Sequence, residues 1–456
     1  MPKTAEDVSS PTPLASRRPS MPRLAWLIGP ALVAGVAYLD PGNVASNMTA
    51  GARYGYLLVW VVVLGNVMAW LIQYLSAKLG IVTGRSLPET LGRRIGNRWG
   101  RRAYWLQAEL VAMATDIAEV IGGAVALNLL FGIPLLWGGA ITGAVSLALL
   151  LIQSRRGPRT FEFVVIGLLA IIAIGFSFGV FVAPPDGASV VAGLVPRFEG
   201  TDSVLLAASI LGATIMPHAI YAHSALARDR FAPPQATRPA LGADRLVPRS
   251  SRAADAPIGA PADPTLAELR GIPTRRLLRA TKWDVTIAML IAGTVNLCIL
   301  LLAAANLAGV PGTDSLEGAY AALYAGLGPL VATLFAVGLL ASGLASTSVG
   351  AYAGAEIMHG LLHIRVPLLA RRLVTLIPAL AILGLGFDPT VALVLSQVVL
   401  SFGIPFALIP LVSLTANRDV LGAFRNRMWT TIAGIAASVF LIALNGVLLY
   451  LVLTGA

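Results

Sequence analysis

The chain has 456 residues, of which 57 % are hydrophobic and only 12 % charged, and its mean hydropathy is +0.79. Soluble domains carry about 25 % charged residues, so composition excludes the three soluble domains that length alone would suggest. The net charge of +11 points to nucleic acid only until the basic residues are placed along the chain.

Residues 1–23 are rich in Pro and Ser and carry charge. They are too polar for a cleavable signal peptide and are expected to form a short, disordered cytoplasmic tail. Apolar windows long enough to cross a bilayer then recur to the end of the chain. They predict eleven helices, near residues 24–50, 56–80, 103–131, 133–153, 159–183, 203–227, 282–308, 322–358, 371–387, 389–414 and 428–453. The eighth is too long for one simple span, so its end, through Glu356 and His359, is expected to emerge into water. Between the sixth and seventh, residues of about 228–281 hold Pro, Ala, Arg and Asp with no sustained apolar period. This segment is expected to be a long cytoplasmic loop, mostly disordered in its middle. Cys298, the single cysteine, sits in an apolar run, where a core or lipid-facing place is expected and no intrachain disulfide can form.

Basic residues fall on alternate connections. One side takes Lys3, Arg17, Arg18 and Arg23, then Arg85, Arg93, Arg94, Arg98, Arg101 and Arg102. It continues with Arg155, Arg156 and Arg159, and later with Arg371, Arg372, Arg418, Arg425 and Arg427. The other side has only Arg53 and Arg197. This positive-inside bias predicts a cytoplasmic N-terminus, and eleven crossings then leave the C-terminus outside the cell membrane. The basicity is topological and implies no nucleic-acid partner.

Two spans are interrupted. AYLDPGNVASN, residues 37–47, places Asp40, Pro41, Gly42 and Asn43 in the middle of the first. Proline donates no backbone hydrogen bond and disfavours helix at the residue before it. In hydrocarbon an unpaired backbone group costs several kcal/mol, so such a break survives where it lines a cavity. LGATIMPHAIYAH, residues 211–223, repeats the device in the sixth span around Pro217. The first and sixth helices occupy corresponding positions in two five-helix halves, and paired breaks of this kind mark the midplane site of an inverted-repeat transporter.

The side chains at the breaks suit a cation. Asp40 offers an anionic oxygen, Asn43 an amide oxygen and Met216 a thioether, and the breaks free nearby carbonyls such as those of Ala37 and Ala213. Mg²⁺ and Ca²⁺ prefer all-oxygen shells; a thioether favours a softer ion such as Mn²⁺ or Fe²⁺. Core packing is the plainer role for Met216, but its place beside the break favours the ligand role. In the third span, Glu109, Asp116 and Glu119 are spaced seven and three apart and share one helical face. Intramembrane acids are functional by default, here as a proton relay, with a structural network paired to arginines such as Arg372 as the alternative. His218 and His223 follow the second break, on what is read as the outer part of the sixth helix. His218 is placed to respond to protons, whereas His223 reads as a structural histidine. Gln397 and Asn445 are lone amides that line a pathway or join helices.

DPGN in the first helix, MPH in the sixth and ATDIAE in the third closely resemble the NRAMP family of proton-coupled divalent metal transporters, over residues of about 24–453. The resemblance implies an all-α polytopic membrane protein with the LeuT-like fold. Two inverted five-helix repeats (24–183 and 203–414) would be followed by an extra helix at 428–453. It implies metal binding by the side chains of Asp40, Asn43 and Met216, carbonyls from Ala37 and Ala213, and Gln397 joining in the outward-facing state. It places Asp40, His218, Glu119 and Asp116 on the proton route, with Glu109, Arg230 and Arg372 as further charged members. Relatives that carry Mg²⁺ or Al³⁺ lack the methionine, so Met216 points to the transition-metal branch. The expected function is a proton-coupled importer of Mn²⁺ and Fe²⁺ working by alternating access. It is not an enzyme and has no resident cofactor; its partners are the metal ion, the proton and the bilayer, with no obligate protein partner. The rivals are a transporter of the same fold for an organic substrate such as an amino acid, a Mg²⁺ transporter of the same family, a membrane metalloenzyme and a passive cation channel.

Overall fold

The computed structural model describes residues 30–156, 158–231, 272–364 and 367–455. The tail expected over 1–23 and residues 232–271 of the expected loop lie outside them. Among the described residues there is no β-strand. Eight helices among the described residues are long and apolar enough to cross a membrane. Three further crossings escape that length test: the first is split, the fourth is apolar over Leu135–Leu149, and the ninth is short.

The first span consists of α1 (Pro30–Ala37) and α2 (Pro41–Tyr54), with residues 38–40 outside either helix. It is followed by α3 (Val59–Thr83), a short α4 (Leu87–Arg94), α5 (Arg98–Phe131), α6 (Leu135–Arg156), α7 (Pro158–Val182) and a surface turn of helix, α8 (Gly187–Ala192). The sixth span is α9 (Gly200–Ile215) and α10 (Pro217–Phe231), divided at Met216. Then come α11 (Thr274–Asn306), α12 (Leu316–Leu327), α13 (Pro329–Leu362), α14 (Leu368–Gly384), α15 (Pro389–Ala416), a short α16 (Arg418–Leu421) and α17 (Met428–Thr454).

The two halves pack as exchanged copies. The second piece of each broken helix lies on the second span of the other half: α2 on α11, and α10 on α3. The third spans of the halves, α5 and α13, pack along each other; α7 lies against α13 as α15 lies against α5. This exchange is what an inverted repeat produces, and α17 is the additional eleventh span, packed on α15.

Three expectations need correction. The eighth apolar window is two helices, because Gly328 takes φ +92, a conformation open mainly to glycine, and Pro329 then starts α13. Continuous hydrophobicity hid that turn. The far end of α13 does not simply emerge into water: Glu356 is half-buried and pairs with Arg228 at 3.2 Å. The expected 228–281 loop is also too long at both edges, since α10 continues to Phe231 and α11 begins at Thr274.

Candidate functional site

Proline explains the freed carbonyls. In a helix the carbonyl of residue i accepts from the N–H of i+4. For Ala37 that residue is Pro41, and for Ala213 it is Pro217; neither has an N–H to give. Both breaks therefore leave a carbonyl without its helical partner. Ala213 has found another donor, Asn43 Nδ2 at 2.8 Å. That bond ties the first break to the second.

Asp40 caps α2. Its Oδ1 accepts from the Asn43 backbone N–H at 2.8 Å and from Asn43 Nδ2 at 3.0 Å, and its Oδ2 accepts from Gln397 Nε2 at 3.3 Å. Asp40, Asn43, Met216 and Gln397 have essentially no solvent exposure. Asn43 Oδ1 and Gln397 Oε1 are buried acceptors with no donor. Unsatisfied buried acceptors cost about 1–3 kcal/mol each, so two of them beside a carboxylate need an electropositive partner. Met216 sits in the gap between α9 and α10 at φ +20, a conformation rare for a side-chain-bearing residue and associated with functional strain. One carboxylate, two amide oxygens, released carbonyls and a thioether form a donor set for a partly dehydrated cation. No cluster of three or more His, Cys, Asp or Glu fit to hold a metal occurs among the described residues.

Sequence reasoning missed a polar stripe along α2. Asn43, Ser46, Thr49 and Arg53 follow one another at three, three and four residues, which is helical spacing. Ser46 Oγ lies 2.6 Å from Ser209 Oγ, which donates to the Val394 carbonyl at 3.1 Å. Beyond this belt opens a cavity of about 230 Å³ lined by Thr49, Arg53, Asp202, Asp314 and Asp388. Arg53 spans its mouth, 2.9 Å from Asp314 and 3.6 Å from Asp202. The belt separates the cavity from the buried carboxylate. On the opposite side, Gln73 donates to the Tyr38 hydroxyl, and its Oε1 is 2.6 Å from His223 Nδ1. His223 Nε2 is buried without a partner, so the ring is satisfied at one nitrogen only.

The acid stripe of α5 is a paired network. Arg371 donates to Glu109 at 3.0 Å and to Asp116 at 3.1 Å. Arg372 donates to Asp116 at 3.0 Å, Glu119 at 3.2 Å, Thr347 Oγ1 at 3.2 Å and Ser146 Oγ at 3.1 Å. Both arginines are buried, so their count among the inner-side connections is corrected: α14 carries them into the bundle. Arg371 was missed as a member because an Arg pair at the head of an apolar window reads as an inner-side anchor. Three carboxylates face two guanidinium groups, and Glu119 Oε1 and Glu109 Oε2 remain without a donor.

His218 Nδ1 lies 3.1 Å from Thr115 Oγ1, on α5 one residue before Asp116. The side of the sixth span is corrected for both histidines. Asp202 at the start of α9 meets Arg53 at the end of α2, so α9 runs from that end and α10 leads away from it. His218 and His223 therefore lie in the opposite half from the one expected. Arg230 is half-buried at the end of α10. Its near neighbour Arg228 forms the ion cluster there, with Glu89 at 2.6 Å, Asp229 at 2.8 Å and Glu356 at 3.2 Å.

A family model described as "Natural resistance-associated macrophage protein-like" (Nramp) matches residues 31–451. A relative from Mycobacterium tuberculosis named "Divalent metal cation transporter MntH" is 58 % identical over 430 residues, 94 % of this chain and 92 % of that protein. The crystal structure of the Eremococcus coleocola manganese transporter superposes with a TM-score of 0.74 at 32 % identity, covering 92 % of this chain and 85 % of that one. MHP1, a nucleobase-cation-symport-1 family transporter, superposes at 0.56 with 14 % identity, covering 92 % of each chain, which is a likeness of fold alone.

Proposed function

Since this chain belongs to the Natural resistance-associated macrophage protein-like family, we propose that it imports Mn²⁺ and Fe²⁺ across the cell membrane together with protons, by alternating access. The coarser statement, a multi-pass transporter of divalent metal cations, agrees with the names of its relatives. The observation that carries the finer reading is the junction of the two breaks. There, one carboxylate (Asp40), the unpartnered oxygens of Asn43 and Gln397, and Met216 are all buried, and Asn43 reaches across to the Ala213 carbonyl. A substrate ammonium or carboxylate of amino-acid size would need more room and a complementary second charge.

In this reading the acidic cavity beside Arg53 collects the ion, and the polar stripe of α2 guides it past the Ser46–Ser209 belt. Metal binding favours ionised Asp40. The released proton leaves by way of His218 and the Asp116, Glu119 and Glu109 stripe, whose charge balance Arg371 and Arg372 set. Arg230 belongs to the inner end of that route. The N-terminus is cytoplasmic and the C-terminus outside, an orientation supported by the scarcity of basic residues at the Arg53 end.

Uptake into proteoliposomes with an internal pH dye tests this. Native protein is expected to take up Mn²⁺ in about tenfold or greater preference over Ca²⁺ and to acidify the lumen as it does so. Met216→Ala is expected to let Ca²⁺ compete, because an all-oxygen shell no longer disfavours the hard ion. Metal flux without proton movement would point to a passive channel; Mn²⁺ selectivity unchanged in Met216→Ala would reduce the thioether to packing.

Gly42 adds a second check. A Cβ built there would lie 1.8 Å from Gln397 Nε2. Gly42→Ala is expected to drive Gln397 off Asp40 and slow Mn²⁺ uptake about tenfold, the range for disturbing groups that orient metal ligands. Equal uptake by this variant would remove Gln397 from the site.

A further inference from the structure

A second feature lies away from the transport site, on the outer surface of the bundle where α3 meets α11. A cavity of about 680 Å³ is lined by Trp70 and Tyr74 of α3 and by Arg275, Arg279, Lys282 and Trp283 of α11. Arg275, Arg279 and Lys282 are spaced four and three apart, so they stack on one helical face. All three are exposed, and none joins an ion pair among the described residues. The nearest acid on the same helix, Asp284, is turned inward and accepts from the Ala31 backbone N–H at 2.9 Å. The wall is built rather than loose. Trp70 Nε1 donates to Thr286 Oγ1 at 2.9 Å, Thr286 Oγ1 donates to the Lys282 carbonyl at 2.7 Å, and the Lys282 ammonium stands 5.7 Å from the Trp70 ring centroid.

Below the charged rim the same two helices present exposed apolar side chains, Val67 (60 %) on α3 and Leu290 (65 %) on α11. The pocket thus has a cationic upper end, an aromatic collar and an apolar lower end. A free phosphate would use only the first of these. Indole and phenol rings settle at the headgroup level of a bilayer, and basic pockets between membrane helices take anionic headgroups. We propose that this pocket binds the phosphate headgroup of an anionic phospholipid, with the acyl chains lying along Val67 and Leu290. Since α3 packs on α10 and α11 on α2, the lipid bridges the two helices on which the second pieces of the broken spans rest.

Native mass spectrometry of the full chain in detergent, titrated with dioleoylphosphatidylglycerol or dioleoylphosphatidylcholine, tests this. Native protein is expected to retain one phosphatidylglycerol in clear preference to phosphatidylcholine. The double variant Arg279→Gln/Lys282→Gln is expected to bind it about thirtyfold more weakly, as two lost cations near an anionic surface imply. The charge-conserving pair Arg279→Lys/Lys282→Arg is expected to bind within about threefold of native. Should the double variant fail to fold, Arg275→Gln alone is expected to lose about fivefold. Equal retention of the two lipids, or native-like phosphatidylglycerol binding by the Gln variants, would overturn the proposal. So would displacement of the lipid by millimolar inorganic phosphate, which would make this a free-phosphate site.

Discussion

Asp40→Asn is expected to lower Mn²⁺ uptake at least about a hundredfold, equivalent to about 2.8 kcal/mol, while the protein stays folded. Asparagine keeps the shape of the side chain and one acceptor oxygen, so the cap on α2 and the bonds from Asn43 at 2.8 and 3.0 Å survive. What is lost is the negative charge. Every other candidate donor at the junction is a neutral amide, carbonyl or thioether. Without Asp40 nothing in the site offsets the desolvation of a doubly charged ion, which is severe in a water-excluded interior. The new amide nitrogen would also face Gln397 Nε2, turning a 3.3 Å attraction into a meeting of two donors. Uptake in proteoliposomes, paired with a melting curve to verify folding, reads both halves of this expectation. Near-native uptake with a native melting curve would mean that the metal binds elsewhere.

The centre of the site was legible because proline leaves so few choices. Pro41 and Pro217 each remove the N–H that would have bonded Ala37 and Ala213, and that consequence can be read from residue spacing alone. Asp40 in an apolar run is similarly hard to explain away. Residue reasoning alone showed Gln397 only as a lone amide, and its place at the metal came from the family resemblance, because nothing in its own helix says that it reaches across to Asp40; a contact 357 residues apart in sequence leaves no local trace. The polar stripe of α2 was present as Asn43, Ser46, Thr49 and Arg53 at helical spacing, but Ser and Thr also satisfy themselves within a helix. Ser46 does so, donating to Gly42 at 2.7 Å while it meets Ser209. The histidines were assigned to the wrong half because the sixth crossing starts at the Arg53 end, so residues after its break lie toward the other end. Gly328 was invisible because one glycine and one proline in a continuously apolar run leave the hydropathy unchanged across the turn.

Arg371 is the most instructive omission, and its partner supplies the second large effect. Arg372→Met is expected to destabilise the protein by about 3–5 kcal/mol, the range for removing one partner of a buried ion pair. The side chain is 1 % exposed and holds Asp116, Glu119, Thr347 and Ser146 at once. Methionine fills similar volume but leaves Arg371 alone to balance Glu109, Asp116 and Glu119. The remedy follows from the same bookkeeping: adding Glu119→Gln to Arg372→Met removes one of the stranded charges and is expected to recover part of the loss in melting temperature. Glu119→Gln by itself separates the two roles proposed for the stripe. If the acids carry protons, this variant stays folded and still binds Mn²⁺, but luminal acidification falls relative to metal uptake. If they serve only to pair the arginines, the ratio of proton to metal stays native and only stability moves. A single set of proteoliposome and melting measurements on these three variants distinguishes a proton route from a structural brace.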